Sequence, residues 1–169
     1  MLTVDLARLE RYGRLEIDEA VPPDDPLWEG SELRLTGPVA VRLEARKVGT
    51  DVLVRGRLAG EVEFECRRCL TRVHYAVDEP VSFLYRSGVD AAEAEREEVY
   101  PLPERGRELD LGQAVREHFM LAVPEYVVCR EACRGLCPRC GANLNVESCT
   151  CGPAETDERW APLRGLKLD

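Results

Sequence analysis

The sequence predicts an α+β fold: a curled, meander-like and barrel-like antiparallel β-sheet packed by one main helix and finished by a cysteine-rich knuckle. Three observations predict it. Apolar residues alternate with charged ones at period two through much of Leu33 to Arg86, the mark of half-buried strands. A later stretch, about 110–122, repeats apolar residues at helical spacing. Six of the eight cysteines then fall between Cys129 and Cys151.

Taken in order, residues 1–32 mix charge with scattered apolar positions and the turn-rich run Pro22-Pro23-Asp24-Asp25-Pro26. Leu2, Val4, Leu6 and Leu9 suit a strand that continues into a helical turn. Leu33, Leu35, Val39, Val41 and Leu43 form the first clear strand, kinked at Gly37-Pro38, and Gly49-Thr50-Asp51 turns the chain. Val52, Val54, Leu58, Val62 and Phe64 then alternate with Arg55, Arg57, Glu61, Glu63 and Glu65. Gly56 and Gly60 fall on the inward register, which implies a bend or close packing. Cys66-Arg67-Arg68-Cys69 occupies the next turn, a hairpin tip, and Val73, Tyr75, Val77, Val81, Phe83 and Tyr85 supply a third strand across the break at Pro80.

The acidic, alanine-rich run after Val89 reads as a solvated loop or a short exposed helix, closed by Pro101 and Pro103. The main helix follows. Asp110 is its expected N-cap, Leu111, Ala114, Val115, Phe119 and Ala122 its apolar face, and Pro124 its stop. In the tail, Trp160, Leu163 and Leu166 recur every three residues, as in a short docking turn or a partner anchor. The expected domain division is 1–128 for the α+β part and 129–169 for the cysteine-rich module.

The cysteines carry the chemistry. Cys137-Pro138-Arg139-Cys140-Gly141 has the form of a metal knuckle: two thiolates three positions apart, a preset turn dihedral at Pro138, and a glycine that tolerates positive φ. Cys66 and Cys69 form a second C-x2-C. Eight cysteines make two sets of four, and four thiolates complete a tetrahedral Zn2+ site. The preferred partition places Cys66, Cys69, Cys129 and Cys133 on one ion and Cys137, Cys140, Cys149 and Cys151 on the other. A single ion on Cys66, Cys69, Cys137 and Cys140 is the alternative. No signal pattern opens the chain and no apolar run reaches about 18 residues, so the expectation is a cytoplasmic protein without membrane contact, whose thiols stay reduced for metal.

The 169-residue chain has a formal net charge of −9, so bulk charge does not hold it on nucleic acid. Any RNA contact must be local. Arg67, Arg68 and Arg72 flank the first cysteine pair, and Arg130, Arg134 and Arg139 flank the others. These six read as a phosphate-binding or partner-binding cluster, or as donors that offset thiolate charge. His74 follows the first pair as an ordinary strand histidine or a substitute ligand, and His118 on the helix reads as structural. Asn143 and Asn145 are read as bonding the knuckle backbone. No catalytic residue stands out, since ligand-spaced thiols leave no spare nucleophile. A thioredoxin-like use of Cys66 and Cys69 lacks its βαβ surroundings.

Four stretches carry a resemblance: Cys66-Arg67-Arg68-Cys69-Leu70, the Leu109-Asp110-Leu111 helix start with Arg116-Glu117, the run from Cys133 to Gly141, and Asn143-Leu144-Asn145. Together they resemble the YceD-type large ribosomal RNA subunit accumulation proteins, and the closing Asp157 to Leu163 is similar to that family's ending. The resemblance implies a bacterial or organellar protein needed for normal accumulation of 23S rRNA, with no enzymatic activity and no small-molecule substrate. Shorter-tailed members keep the first C-x2-C and a ligand pair near Cys129 and Cys133, which supports the two-ion partition. The implied partner is 23S rRNA or a large-subunit assembly factor; oligomeric state stays open. Two other functions remain from the residues: a redox-sensing zinc protein that releases metal on thiol oxidation, and a metal-dependent hydrolase, which all-cysteine sites disfavour because they are closed.

Overall fold

The computed structural model describes residues 2–103, 106–152 and 159; the expected docking turn at Trp160, Leu163 and Leu166 lies outside the described residues. The chain divides into two compact units, one of residues 1–64 and 73–125, the other of residues 65–72 and 126–169. The division does not follow chain order at residue 128: the turn carrying Cys66 and Cys69 groups with the cysteine-rich segment.

The first unit opens with β1 (Thr3–Asp5) and runs directly into α1 (Leu6–Tyr12). The Asp5 side chain accepts from the Arg8 N–H at 2.9 Å and so starts the helix. β2 (Arg14–Val21), β3 (Val39–Val48), β4 (Asp51–Glu65), β5 (Arg72–Arg86) and β6 (Tyr100–Pro101) follow, with α2 (Ala91–Arg96) between the last two. β7 (Glu108–Asp110) pairs antiparallel with β1, and α3 (Gly112–Ala122) ends the unit.

The sheet order is β2-β3-β4-β5-β6. β2 pairs antiparallel with β3, and β3 with β4, in the register Leu43↔Gly56. Two expectations are corrected. The sheet is mixed, because β6 pairs in parallel with β5 after the α2 crossover. It is also an open sheet rather than a barrel: β2 and β6 are its two ends, and a two-residue strand offers no edge long enough to close on.

The period-two pattern produces the core. Val39, Val41, Leu43 and Ala45 on β3, Val52, Val54, Leu58 and Val62 on β4, and Val77, Val81, Phe83 and Tyr85 on β5 are all buried. β7 adds Leu109, and α3 with its N-cap adds Leu111, Ala114, Val115 and Phe119. Gly60 admits the Phe119 ring: a β-carbon there would lie 3.1 Å from it. Gly56 is tighter still, since its β-carbon would lie 2.0 Å from the Arg42 carbonyl oxygen on the neighbouring strand. Trp28, on a short turn at Pro26–Trp28, packs at a tilt of 56° against Phe119 with ring centroids 5.3 Å apart. Burying a side chain such as Phe119 stabilises by about 2–3 kcal/mol, so this cluster holds the unit without any cysteine.

The helix start differs from expectation by one residue. Leu111, not Asp110, is the N-cap, and Asp110 closes β7. Asp110 still supplies the cap chemistry, accepting from the Gly112 N–H at 2.8 Å. Among the described residues no helix is long and apolar enough to cross a membrane.

Candidate metal centre

All eight cysteines lie in the second unit, and they gather as two tetrads. The sulfurs of Cys66, Cys69, Cys129 and Cys133 lie within 4.8 Å of one another, as do those of Cys137, Cys140, Cys149 and Cys151. The single-ion alternative on Cys66, Cys69, Cys137 and Cys140 is not the grouping the structure forms.

The first tetrad is built from a tight turn. Cys66 follows β4, its N–H donates to the Thr71 carbonyl at 2.8 Å, and the Leu70 N–H returns to the Cys66 carbonyl at 2.9 Å. That closed loop aims the Arg68 N–H at the Cys66 sulfur, 3.5 Å away. The segment after Pro124 meets this turn through the Arg67 N–H, which donates to the Val127 carbonyl at 2.9 Å. Cys66 and Cys133 sulfurs then stand 3.8 Å apart, and Cys69 and Cys129 sulfurs 3.6 Å apart. A tetrahedron of thiolates at about 2.3 Å from a central ion has edges of about 3.8 Å, so the donor set fits a four-thiolate metal.

The second tetrad repeats the turn. The Cys137 N–H donates to the Ala142 carbonyl at 2.8 Å, and the Gly141 N–H to the Cys137 carbonyl at 2.9 Å. The two turns touch directly, since the Leu136 N–H donates to the Arg68 carbonyl at 3.0 Å. The tetrads differ in exposure. Cys66, Cys69 and Cys133 are buried and Cys129 exposed, whereas Cys137 is the one buried member of the second set.

The electrostatics of both tetrads suit a cation. Burial pushes the Cys66 thiol up, but backbone amides of Cys129, Arg68 and Cys69 outweigh it and bring it to about 6. Cys129, exposed as a residue, is pushed up to about 12, first by desolvation of its sulfur among the other thiols and then by hydrogen bonds with those sulfurs. In the second set, amides of Cys140 and Arg139 bring Cys137 to about 6, while the hydrogen bond with Cys140 and then burial push Cys151 up to about 12. Four adjacent thiols cannot all ionise alone; a bound divalent ion removes that opposition.

Asn145 is the chief support around the first tetrad. Its Nδ2 donates to the Cys133 sulfur at 3.4 Å, and its Oδ1 accepts from the Arg134 N–H at 2.9 Å and the Arg130 guanidinium at 3.0 Å. Asn143 orients it, accepting from the Asn145 N–H at 3.0 Å.

All six flagged arginines, Arg67, Arg68, Arg72, Arg130, Arg134 and Arg139, are exposed in the second unit. Arg68 is committed to structure: its guanidinium donates to the Cys133 carbonyl at 3.1 Å and the Glu131 carbonyl at 3.4 Å. A hydrogen bond with Tyr126 holds it above its usual range. Tyr126 and the turn residue Leu70 are exposed neighbours that spacing arguments passed over. The two histidines belong to the first unit. His74 Nδ1 lies 3.0 Å from Glu61 Oε1, and His118 packs on Phe83 with ring centroids 4.8 Å apart.

The family model of the large ribosomal RNA subunit accumulation protein YceD matches residues 54–167. A chloroplastic YCED homolog 1 of that description in Arabidopsis thaliana is 37% identical over 65 residues, 38% of this chain and 20% of that protein. An uncharacterized protein of Mycobacterium leprae is 33% identical over 133 residues, 76% of this chain and 59% of its own length. One of Mycobacterium tuberculosis H37Rv is 32% identical over 173 residues, 96% of this chain and 79% of its own length. The chain thus spans a fifth of the plant relative and somewhat over half of the M. leprae one. No solved structure matches it. The matched span takes in both sulfur tetrads and the helix that leads into them, and on it the chain belongs to the family of the large ribosomal RNA subunit accumulation protein YceD.

Proposed function

We propose that this protein is a non-catalytic, cytoplasmic factor supporting the maturation or accumulation of the large-subunit ribosomal RNA. Two structural Zn2+ ions shape its working surface. The observation that carries the reading is the convergence of eight cysteines into two four-sulfur sets, within a chain of this family. Zinc suits the donors, being the common ion of all-thiolate tetrahedral sites, and four protein ligands leave no open position for chemistry. The ions would fix the two turns and thereby the arginines they carry. Arg67, Arg68, Arg72, Arg130, Arg134 and Arg139 carry positive charge on an otherwise acidic chain, and phosphate contact is the role that fits them.

Crosslinking the protein in cells and sequencing the attached RNA tests this reading. Recovery of large-subunit rRNA fragments, reduced in an Arg67→Glu/Arg134→Glu variant that keeps its metal, is the expected result. Recovery of none would move the contact to a protein partner, and purified chain without transition metal would remove the zinc-based account.

A redox-responsive metal protein is the second reading. The exposure of Cys140 and Cys151, and the partial exposure of Cys149, favour it, because a closed structural site would shield its sulfurs.

A further inference from the structure

An open groove of about 730 Å³ lies in the first unit, with Phe83, Tyr100 and His118 among its lining. Its volume falls within the roughly 300–1,000 Å³ typical of ligand sites. The groove runs where the sheet is unfinished. β6 pairs with β5 only at Tyr85↔Tyr100 and Arg86↔Pro101. Just past that pairing the Leu102 N–H donates to the Arg86 carbonyl at 2.8 Å, so the backbone groups of Arg86 point to this side of β5. Strand alternation turns those of Leu84 and Ser82 the same way. The Tyr85↔Tyr100 bridge commits the Leu84 carbonyl to the Tyr100 N–H, since Pro101 has no N–H to give. Among the described residues no strand takes the Leu84 N–H or the backbone groups of Ser82, and β5 therefore presents a short open edge beside α3. Pro80, of the same parity and lacking an N–H, bounds that edge at its far end.

The walls specify the occupant. Glu95 and Glu98 from the α2 side and Glu117 from α3 line the groove, and no lysine or arginine does. His118 adds no opposing charge near neutral pH, because burial holds it below its ordinary range. Leu121 stands 82% exposed at the rim, an apolar foothold beside three carboxylates.

We propose that this groove is a docking site for an extended, lysine- and arginine-rich segment of a protein partner, which adds as a strand to the β5 edge in line with β6. Backbone hydrogen bonds to Ser82 and to the Leu84 N–H supply sequence-independent affinity, and the carboxylates select positive charge.

The test uses the full chain and a fluorescein-labelled synthetic peptide of alternating lysine and valine, followed by anisotropy. The peptide is expected to bind, more weakly as salt rises, while the same peptide with glutamate in place of lysine does not bind. N-methylation of alternate peptide amides is expected to abolish binding, since strand addition needs those donors. Glu95→Lys/Glu98→Lys, both exposed, the first on α2 and the second just past its end, should weaken it about tenfold. Absence of binding by the lysine–valine peptide overturns the proposal, as does undiminished binding of the N-methylated form or by the double variant. Sedimentation showing a dimer that the double variant dissolves would assign the edge to a second copy and also overturn it.

Discussion

Leu70 and Gly141 hold equivalent places in the two cysteine turns, one residue past each second cysteine, with φ of 58° and 74°. Each donates its N–H to the carbonyl of the first cysteine of its turn. Glycine takes that conformation freely, whereas a leucine strains against its own carbonyl by about 1–2 kcal/mol. Leu70 is 59% exposed, so its side chain recovers little by burial. Leu70→Gly should therefore leave the first turn as stable or up to about 1 kcal/mol more stable, and Gly141→Leu should weaken the second by about 1–2 kcal/mol. Chelator competition, read as metal retained per chain, checks both. A Gly141→Leu variant that retains metal as well as the parent would contradict the strain argument.

Gly135 joins the turns, and its place is more demanding. Its φ is 73°, and a β-carbon on it would stand 3.0 Å from the Arg68 carbonyl oxygen that accepts from Leu136. Gly135→Ala is thus expected to cost about 2 kcal/mol, from backbone strain plus displacement of the first turn. The loss should appear as faster amide exchange at Leu136 and in residues 66–71, with no change in the sheet.

Metal removal should divide the molecule the same way. The buried cluster of the first unit, from Leu2 to Phe119, contains no cysteine, while the second unit has few buried apolar residues besides its thiols. Stripping the chain with a strong chelator is expected to erase amide protection in residues 65–72 and 126–152 and leave that of β3 and β4 in place. Global collapse on chelation would show that the first unit depends on the ions after all.

Much of this was legible in the chain. Period-two runs gave β4, β5 and β3 from Val39 onward, and helical spacing gave the buried face of α3, because each of those elements buries one continuous stripe against the core. Leu33 and Leu35, expected in the same strand as Val39, lie before it, and Leu35 makes only an isolated bridge to Val62. Leu2 to Leu9 did read as a strand passing into a helix. β2 escaped notice: Leu15 and Ile17 are only half-buried and Glu19 breaks the alternation, so the pattern is faint although the pairing with β3 is full. β6 was invisible because two residues carry no period. Ligand spacing suggested two sets of four cysteines, and the structure gathers the sulfurs in the preferred partition rather than the single-ion alternative. The Asn145 contact with a sulfur and the left-handed Leu70 have no such spacing signal, since both depend on where remote segments meet.

Unequal exposure of the two tetrads predicts an order of oxidation. Under mild peroxide two thiolates are oxidised to one disulfide as the peroxide is reduced to water, and any held ion is released. Cys140 and Cys151 are exposed and Cys149 half-buried, while in the first set only Cys129 is exposed and Cys66, Cys69 and Cys133, the disulfide partners within its reach, are buried. Differential alkylation with mass spectrometry should show the second set modified first, with the first set intact until later. Simultaneous loss of both sets would count against independent sites.

His118 gives the first unit a pH dependence of definite sign. Burial against Phe83 lowers its pKa below the ordinary 6.5, with the neighbouring Glu117 carboxylate opposing; Glu95 and Glu98 line the same groove. The unfolded chain consequently binds its proton first as pH falls. Stability attributable to His118 is fully present above the unfolded value, declines as pH drops through it, and levels off below the folded value. Denaturant midpoints between about pH 7.5 and about pH 5.5 should fall further for the parent than for His118→Gln, whose side chain does not titrate. The comparison subtracts the carboxylates common to both proteins. An equal fall in the two would mean that the imidazole stays as well solvated in the folded chain as in the unfolded one, contrary to its packing between Phe83 and Tyr100.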